Sequence, residues 1–214
     1  MAEKIISFAG VRHADIPYYM AKIVSTKGGY VLVIDNSYEN DLYLAVQREE
    51  GSESALKQRN IFYMCNVCYD QSLFEKFASI VVYHGMDIDE EIWKASTDRY
   101  LMVNTDRFDM RAARDAVRDL DDPVTIIVVD AYYEKIKEPM VAKLLEITGT
   151  KLKDTLVLPA EPADRSALEA FQFNGVQRVA QTSKVMKELM QNLYQDLYGE
   201  IKAKLFKKVI AKAN

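Results

Sequence analysis

The chain has 214 residues, 49% of them hydrophobic and 28% charged, with two cysteines and a formal net charge of −4. That length suits one domain with at most a small appendage, and the composition excludes disordered, collagen-like and coiled-coil proteins. Two cysteines cannot frame a disulfide-dense secreted fold. No apolar run reaches the roughly 18 residues of a membrane span, so a cytoplasmic chain without a cleaved signal is expected.

Short apolar runs alternate with helical patterns along the chain. Ile5–Ala9 reads as a strand and Ile16–Ser25 as the helix after it. Tyr30–Ile34 is the next strand, Tyr38–Leu56 a helical or irregular excursion, and Ile61–Cys68 a further strand-like run. Ser72–Phe77 is helical, and Ile80–Tyr83 and Tyr100–Val103 are strands. The helix Met110–Arg118, the strand Val124–Val129 and the helix Lys137–Glu146 follow, then a weaker strand at Thr155–Leu158 and a helix at Ser166–Phe171. Runs rich in Val and Ile with little polar alternation are strands buried on both faces, as in a parallel sheet covered by helices. The expectation is a three-layer α/β/α sandwich with a mainly parallel sheet over residues 1–181. Residues 182–214 then form a C-terminal helical segment. Met186, Leu189, Met190, Leu193 and Leu197 fall at three-to-four spacing there, and Gly199 marks an interruption.

The charge is uneven. Residues 200–214 hold one glutamate and five lysines, a local +4, so residues 1–199 carry −8. So acidic a body argues against a broad nucleic-acid-binding face. On a helical wheel the end of the chain places Ile201, Leu205, Phe206 and Val209 on an apolar arc, with Lys204, Lys207 and Lys208 opposite. That pattern suits a helix lying on a membrane surface or docking on a partner. It equally suits a last helix packed on the body with its lysines in water.

In such a sheet, ligands bind beyond the carboxyl ends of the strands. Here these ends carry Gly10–Asp15, Asp35–Tyr38, His84–Asp89, Asn104–Arg107, Asp130–Tyr133 and Pro159–Asp164. Asp and Asn also cap helices and start turns, which is their plainer role. Cys65-Asn-Val-Cys68 is the one C-x-x-C, and His13 and His84 are the only histidines. A Cys2His2 zinc site is conceivable, but cysteines in so apolar a run more often serve as small buried hydrophobes.

The first forty residues resemble the start of the ParA/MinD-type P-loop ATPases. Lys4–Ala9 is similar to their first strand, Met20–Lys27 to the helix after the phosphate loop, Gly28–Gly29 to the turn, and Tyr30-Val-Leu-Val-Ile-Asp35 to the second strand with its terminal Asp. Tyr100–Arg111 resembles the segment after the Walker B strand, Val124–Val129 the next strand, and Leu156–Asp164 the loop near the adenine. The family's loop, G-G-V-G-K-T-T, falls on Ala9-Gly10-Val11-Arg12-His13-Ala14-Asp15. A working loop needs glycines for close phosphate approach, a lysine for β/γ charge and a hydroxyl for magnesium. Here Arg12 stands in place of a glycine, His13 in place of the lysine and Ala14 in place of the hydroxyl. Asp15 adds a carboxylate at a helix start that would otherwise favour an anion. Tyr83 ends the Walker B-like strand in place of an Asp, with Asp87 and Asp89 nearby as partial substitutes.

The resemblance therefore implies a pseudo-ATPase with no catalytic residues and no obligatory cofactor. ATP binding without turnover would use Gly10, Arg12, His13, Asp35, Asp130 and Pro159. It further implies a homodimer joined across the crevice, with Tyr18, Tyr19, Tyr132 and Tyr133 on the interaction surface. Protein partners in a larger assembly and peripheral membrane contact are expected, and nucleic acid is not. Family members with degraded phosphate loops include the TadZ/CpaE-like proteins that position pilus machinery. That likeness suggests a scaffold or localisation factor, and a nucleotide-dependent switch is the alternative.

Overall fold

The computed structural model describes residues 2–46, 56–131, 138–147, 149–174 and 177–213. Eight strands form one sheet: β1 (Lys4–Gly10), β2 (Val31–Asp35), β3 (Leu56–Gln58), β4 (Ile61–Cys65), β5 (Ser79–Gly85), β6 (Asp98–Val103), β7 (Val124–Ala131) and β8 (Leu152–Pro159). Their order is β3-β4-β2-β5-β1-β6-β7-β8, with every neighbouring pair parallel except β3–β4. The helices are α1 (Asp15–Ser25), α2 (Asp41–Val46), α3 (Gln71–Phe74), α4 (Glu90–Ala95), α5 (Arg107–Val117), α6 (Glu138–Leu144), α7 (Pro162–Asn174), α8 (Lys184–Tyr198) and α9 (Ala203–Ala213). The expected three-layer architecture is what the chain adopts.

The two-residue repeat of a strand sends alternate side chains to opposite layers. On one face Ile6, Phe8, Tyr100, Met102, Ile127 and Val129 pack with α1, α2, α7, α8 and α9. On the other, Leu101, Val103, Ile126 and Val128 pack with Trp93 of α4 and the apolar faces of α5 and α6. Leu32, Ile34, Ile80 and Val82 meet Phe74 and Ile92 there. Sequence periodicity passed over α4. Its six residues are too few for a periodic signal, and its start is set by Asp89, whose carboxylate accepts from Ile92 N at 3.0 Å. The antiparallel edge strand β3, three residues long, was missed for the same reason. Of the excursion Tyr38–Leu56, the described part contains α2; residues 47–55 lie outside the described residues, as does Lys137 of the expected helix Lys137–Glu146.

Two expectations about exposed surface are corrected. Tyr18 and Tyr19 do not form an interaction surface: both are fully buried in α1, with Tyr18 against Phe171 of α7 at 4.6 Å between ring centroids. Burying so much ring area in the core outweighs leaving it at a rim. Tyr132 and Tyr133 lie outside the described residues. The apolar arc of the last helix also turns inward. Phe206 is 2% exposed and packs tilted against Tyr194 of α8, Ile210 and Ala213 are buried, and Ile201 and Val209 are partly buried against the same core. Only Leu205, 50% exposed, remains outside with Lys204, Lys207 and Lys208. Gly199, at φ +83°, breaks α8 from α9 so that the second helix can fold back onto α1.

Phe206→Ala should therefore destabilise the chain by about 3–5 kcal/mol, whereas Leu205→Ala should stay within about 0.5 kcal/mol. Urea unfolding of the two variants measures the difference, and equal small effects would mean α9 is not part of the core.

Candidate functional site

The site lies where β1, β5, β2 and β7 end and the loop between β1 and α1 crosses them. Gly10 closes β1 at φ +109°, and an added Cβ would lie 1.9 Å from the Met102 carbonyl oxygen of β6. Val11 N donates to that carbonyl at 2.9 Å. The glycine is therefore demanded by the close approach of two strands.

Arg12 turns towards the α2 side. Its Nε donates to Asp41 Oδ2 at 2.7 Å, and one terminal nitrogen lies 2.8 Å from Glu39 Oε2. His13 is buried and held at both ring nitrogens: Nδ1 is 3.3 Å from Asp15 Oδ1, and Nε2 is 3.3 Å from Asp130 Oδ2. Asp130 reaches it because the end of β7 is irregular, with a register shift between Val128 and Ala131 and a left-handed φ of +49° at Asp130 itself. Burial opposes charge on His13, but the hydrogen bonds and fields of Asp130 and Asp15 outweigh it and lift its pKa to about 9. Asp130 is lowered in turn, first by its hydrogen bond to His13. At neutral pH the ring is an imidazolium clamped between two carboxylates.

Asp35 is committed to local structure. Its carboxylate accepts from Ser37 N at 3.0 Å, Ser37 Oγ at 2.6 Å and Tyr43 N at 2.8 Å. These bonds hold the turn into α2 and use both of its oxygens. Burial raises its pKa against the pull of those donors. Tyr83 lies near the end of β5, a strand buried throughout, and burial pushes its phenol up. Pro159 is exposed at the end of β8, beside Ala131.

A cleft of about 310 Å³ opens over this loop, with Gly10, Val11 and Arg12 on one side and Tyr38, Gly85 and Met86 on the other. Its charged lining is Arg12 against Glu39, Asp41, Asp87 and Asp109. One guanidinium facing four carboxylates makes the cleft electronegative, the opposite of what a polyphosphate requires. Of the residues expected to hold nucleotide, the fold brings together Gly10, Arg12, His13, Asp35 and Asp130. Of these only Gly10 and Arg12 line the cleft; His13, Asp35, Asp130 and Pro159 do not. Sequence reading missed Glu39 and Asp41 as the partners of Arg12, because side chains about thirty residues apart carry no spacing signal until β1 and β2 align.

The cysteine–histidine arrangement does not form. His84 is fully buried: Asp89 N donates to its Nδ1 at 3.3 Å, so Nε2 carries the proton and donates to Ser7 Oγ at 3.0 Å. Ser7 continues the chain to Ser96 Oγ at 2.7 Å, which donates to the Ile92 carbonyl at 2.8 Å. Burial lowers the His84 pKa to about 4, and the neutral ring ties β1, β5 and α4 together. Both nitrogens of each histidine are thus engaged. Cys65 is half-buried, with its thiol pKa raised by burial and by Asp35, and Cys68 is exposed; both are free thiols. Among the described residues, no group of three or more His, Cys, Asp or Glu side chains is arranged to hold a metal ion.

No protein-family model matches the sequence, and no curated protein is significantly similar to it. Solved structures are similar in fold. A ParA family ATPase from Chlorobium tepidum TLS superposes with a TM-score of 0.58 at 13% identity, over 99% of both chains. The MinD cell division protein of Aquifex aeolicus, solved in complex with MinC, superposes with a TM-score of 0.62 at 13% identity, over 93% of this chain and 97% of that one. The chain has the ParA/MinD-type P-loop fold. At such identity the likeness extends to the fold alone, and the site is read from its own side chains.

The histidine clamp has a pH signature. An unfolded histidine titrates near 6.5, so the protonated ring is favoured by folding. Its contribution to stability is complete below about pH 6.5 and is lost as pH rises through about 9. The melting temperature of the wild-type chain should fall across that window relative to His13→Gln. Taking the difference removes Lys22, whose pKa is lowered to about 8, mainly by burial. Parallel profiles for the two proteins would contradict the clamp.

Proposed function

We propose that this chain is a catalytically inactive ParA/MinD-like protein that serves as a scaffold or localisation factor in the assembly of a cell-envelope or pilus machinery. The observation that carries this reading is the internal neutralisation of the loop. Arg12 and His13, the cations nearest to a phosphate position, are already paired with Asp41, Glu39, Asp15 and Asp130. An incoming triphosphate would have to displace these carboxylates and face Asp87 and Asp109 as well. Neither a lysine for β/γ charge nor a hydroxyl for magnesium stands in the loop. A fold retained without the groups that turn over nucleotide is a surface for binding other molecules. The MinD structure solved with its MinC partner supports a role through protein partners, and a homodimer across the cleft is part of the proposal. The chain would work in the cytoplasm, at most peripherally on a membrane; no helix among the described residues is long and apolar enough to cross one.

The purified chain should release no phosphate from ATP above background with or without magnesium, and calorimetric titration with ATP should show no micromolar binding. Micromolar binding that is lost in Arg12→Ala would instead support the nucleotide-switch reading.

A further inference from the structure

The face formed by α5 and α6 combines a run of arginines with exposed apolar side chains. Arg107, Arg111, Arg114 and Arg118 recur at steps of four, three and four along α5, which puts them in one stripe. Arg114 is paired with Asp115 and Glu146, and Arg118 with Asp115. Among the described residues, Arg107 and Arg111 are in no ion pair. Beside the stripe stand three large apolar side chains in water: Phe108 is 82% exposed, Met140 52% and Leu144 41%. Between the two helices lies a cleft of about 570 Å³ lined by Arg107, Phe108, Met110, Arg111, Arg114 and Leu144. Among the described residues its lining holds three arginines and no carboxylate, in a chain whose net charge is −4.

We propose that this face is a docking site for an acidic amphipathic helix of a partner protein. Arginine and aromatic side chains are the groups that most often anchor protein interfaces. A groove between two helices receives a third through anchors spaced by three and four residues. Arg107 to Arg114 spans about 10 Å along the α5 axis, so carboxylates at i, i+4 and i+7 of an adjacent helix come opposite all three arginines. Phe108 and Leu144 would take that helix's apolar stripe. A nucleic-acid backbone fits less well, because the exposed ring, thioether and isobutyl groups offer it little. This site goes beyond the scaffold reading and is independent of the cleft over Arg12, so nucleotide has no part in its test.

The probe is a synthetic 18-residue helical peptide with leucines on one face and glutamates flanking them, with a second peptide carrying lysine for every glutamate as control. Fluorescence anisotropy against the full chain should give saturable binding of the acidic peptide and none of the basic one. Arg107→Glu combined with Arg111→Glu, and separately Phe108→Ser, should each weaken binding by about tenfold or more. Lys204→Glu combined with Lys207→Glu, on the distant α9, should leave it unchanged. These positions are exposed, and unchanged melting temperatures would verify the fold. Absence of saturation, or equal binding by the arginine and lysine variants, would overturn the proposal. So would duplex DNA or phosphatidylglycerol vesicles binding the wild type more tightly than the peptide and losing that binding in the arginine variant.

Discussion

The imidazolium of His13 between Asp15 and Asp130 is the interaction on which the character of this molecule depends. It joins the loop after the first strand to the far end of β7. The bonds are 3.3 Å on each side and the ring is buried, so charge assistance adds to each hydrogen bond. Removing either carboxylate would leave a buried cation with half its compensation, which is costly. The loop is held by its own side chains.

The neighbouring groups follow the same logic. Arg12 is drawn to the start of α2 by Asp41 and Glu39, and Asp35 closes the turn into that helix. The buried Asp35 finds its partners within the chain, as buried polar groups must, and the half-exposed Arg12 does so at the cleft's edge. Gly10 remains because β6 approaches too closely for any side chain, which is a constraint of the fold and says nothing of phosphate.

Much of the fold was legible in the sequence because its strands are buried on both faces and so read as unbroken apolar runs such as Val124–Val129. What could not be read lies in short or long-range features. α4 is set by a single capping aspartate and β3 by three residues at an edge. Tyr18 and Tyr19 looked like a rim pair, but a helix covered by α7, α8 and α9 has little exposed face left, and those helices lie more than a hundred residues away. In the site, the departures at Arg12, His13 and Ala14 were visible directly. The carboxylates that answer them were not, since Asp130 reaches His13 through an irregularity in β7 that no local pattern announces. Phe206 was seen as part of an amphipathic helix, yet the wheel alone could not say whether its apolar arc met lipid, partner or core.

The central claim is that the loop's own carboxylates keep anions out. Calorimetric titration with pyrophosphate of the wild-type chain and of an Asp41→Asn, Asp130→Asn double variant tests it most directly. The account predicts no detectable binding to the wild type and measurable binding once Arg12 and His13 are released from those partners. Pyrophosphate bound by the wild type at least as tightly as by the variant would contradict it.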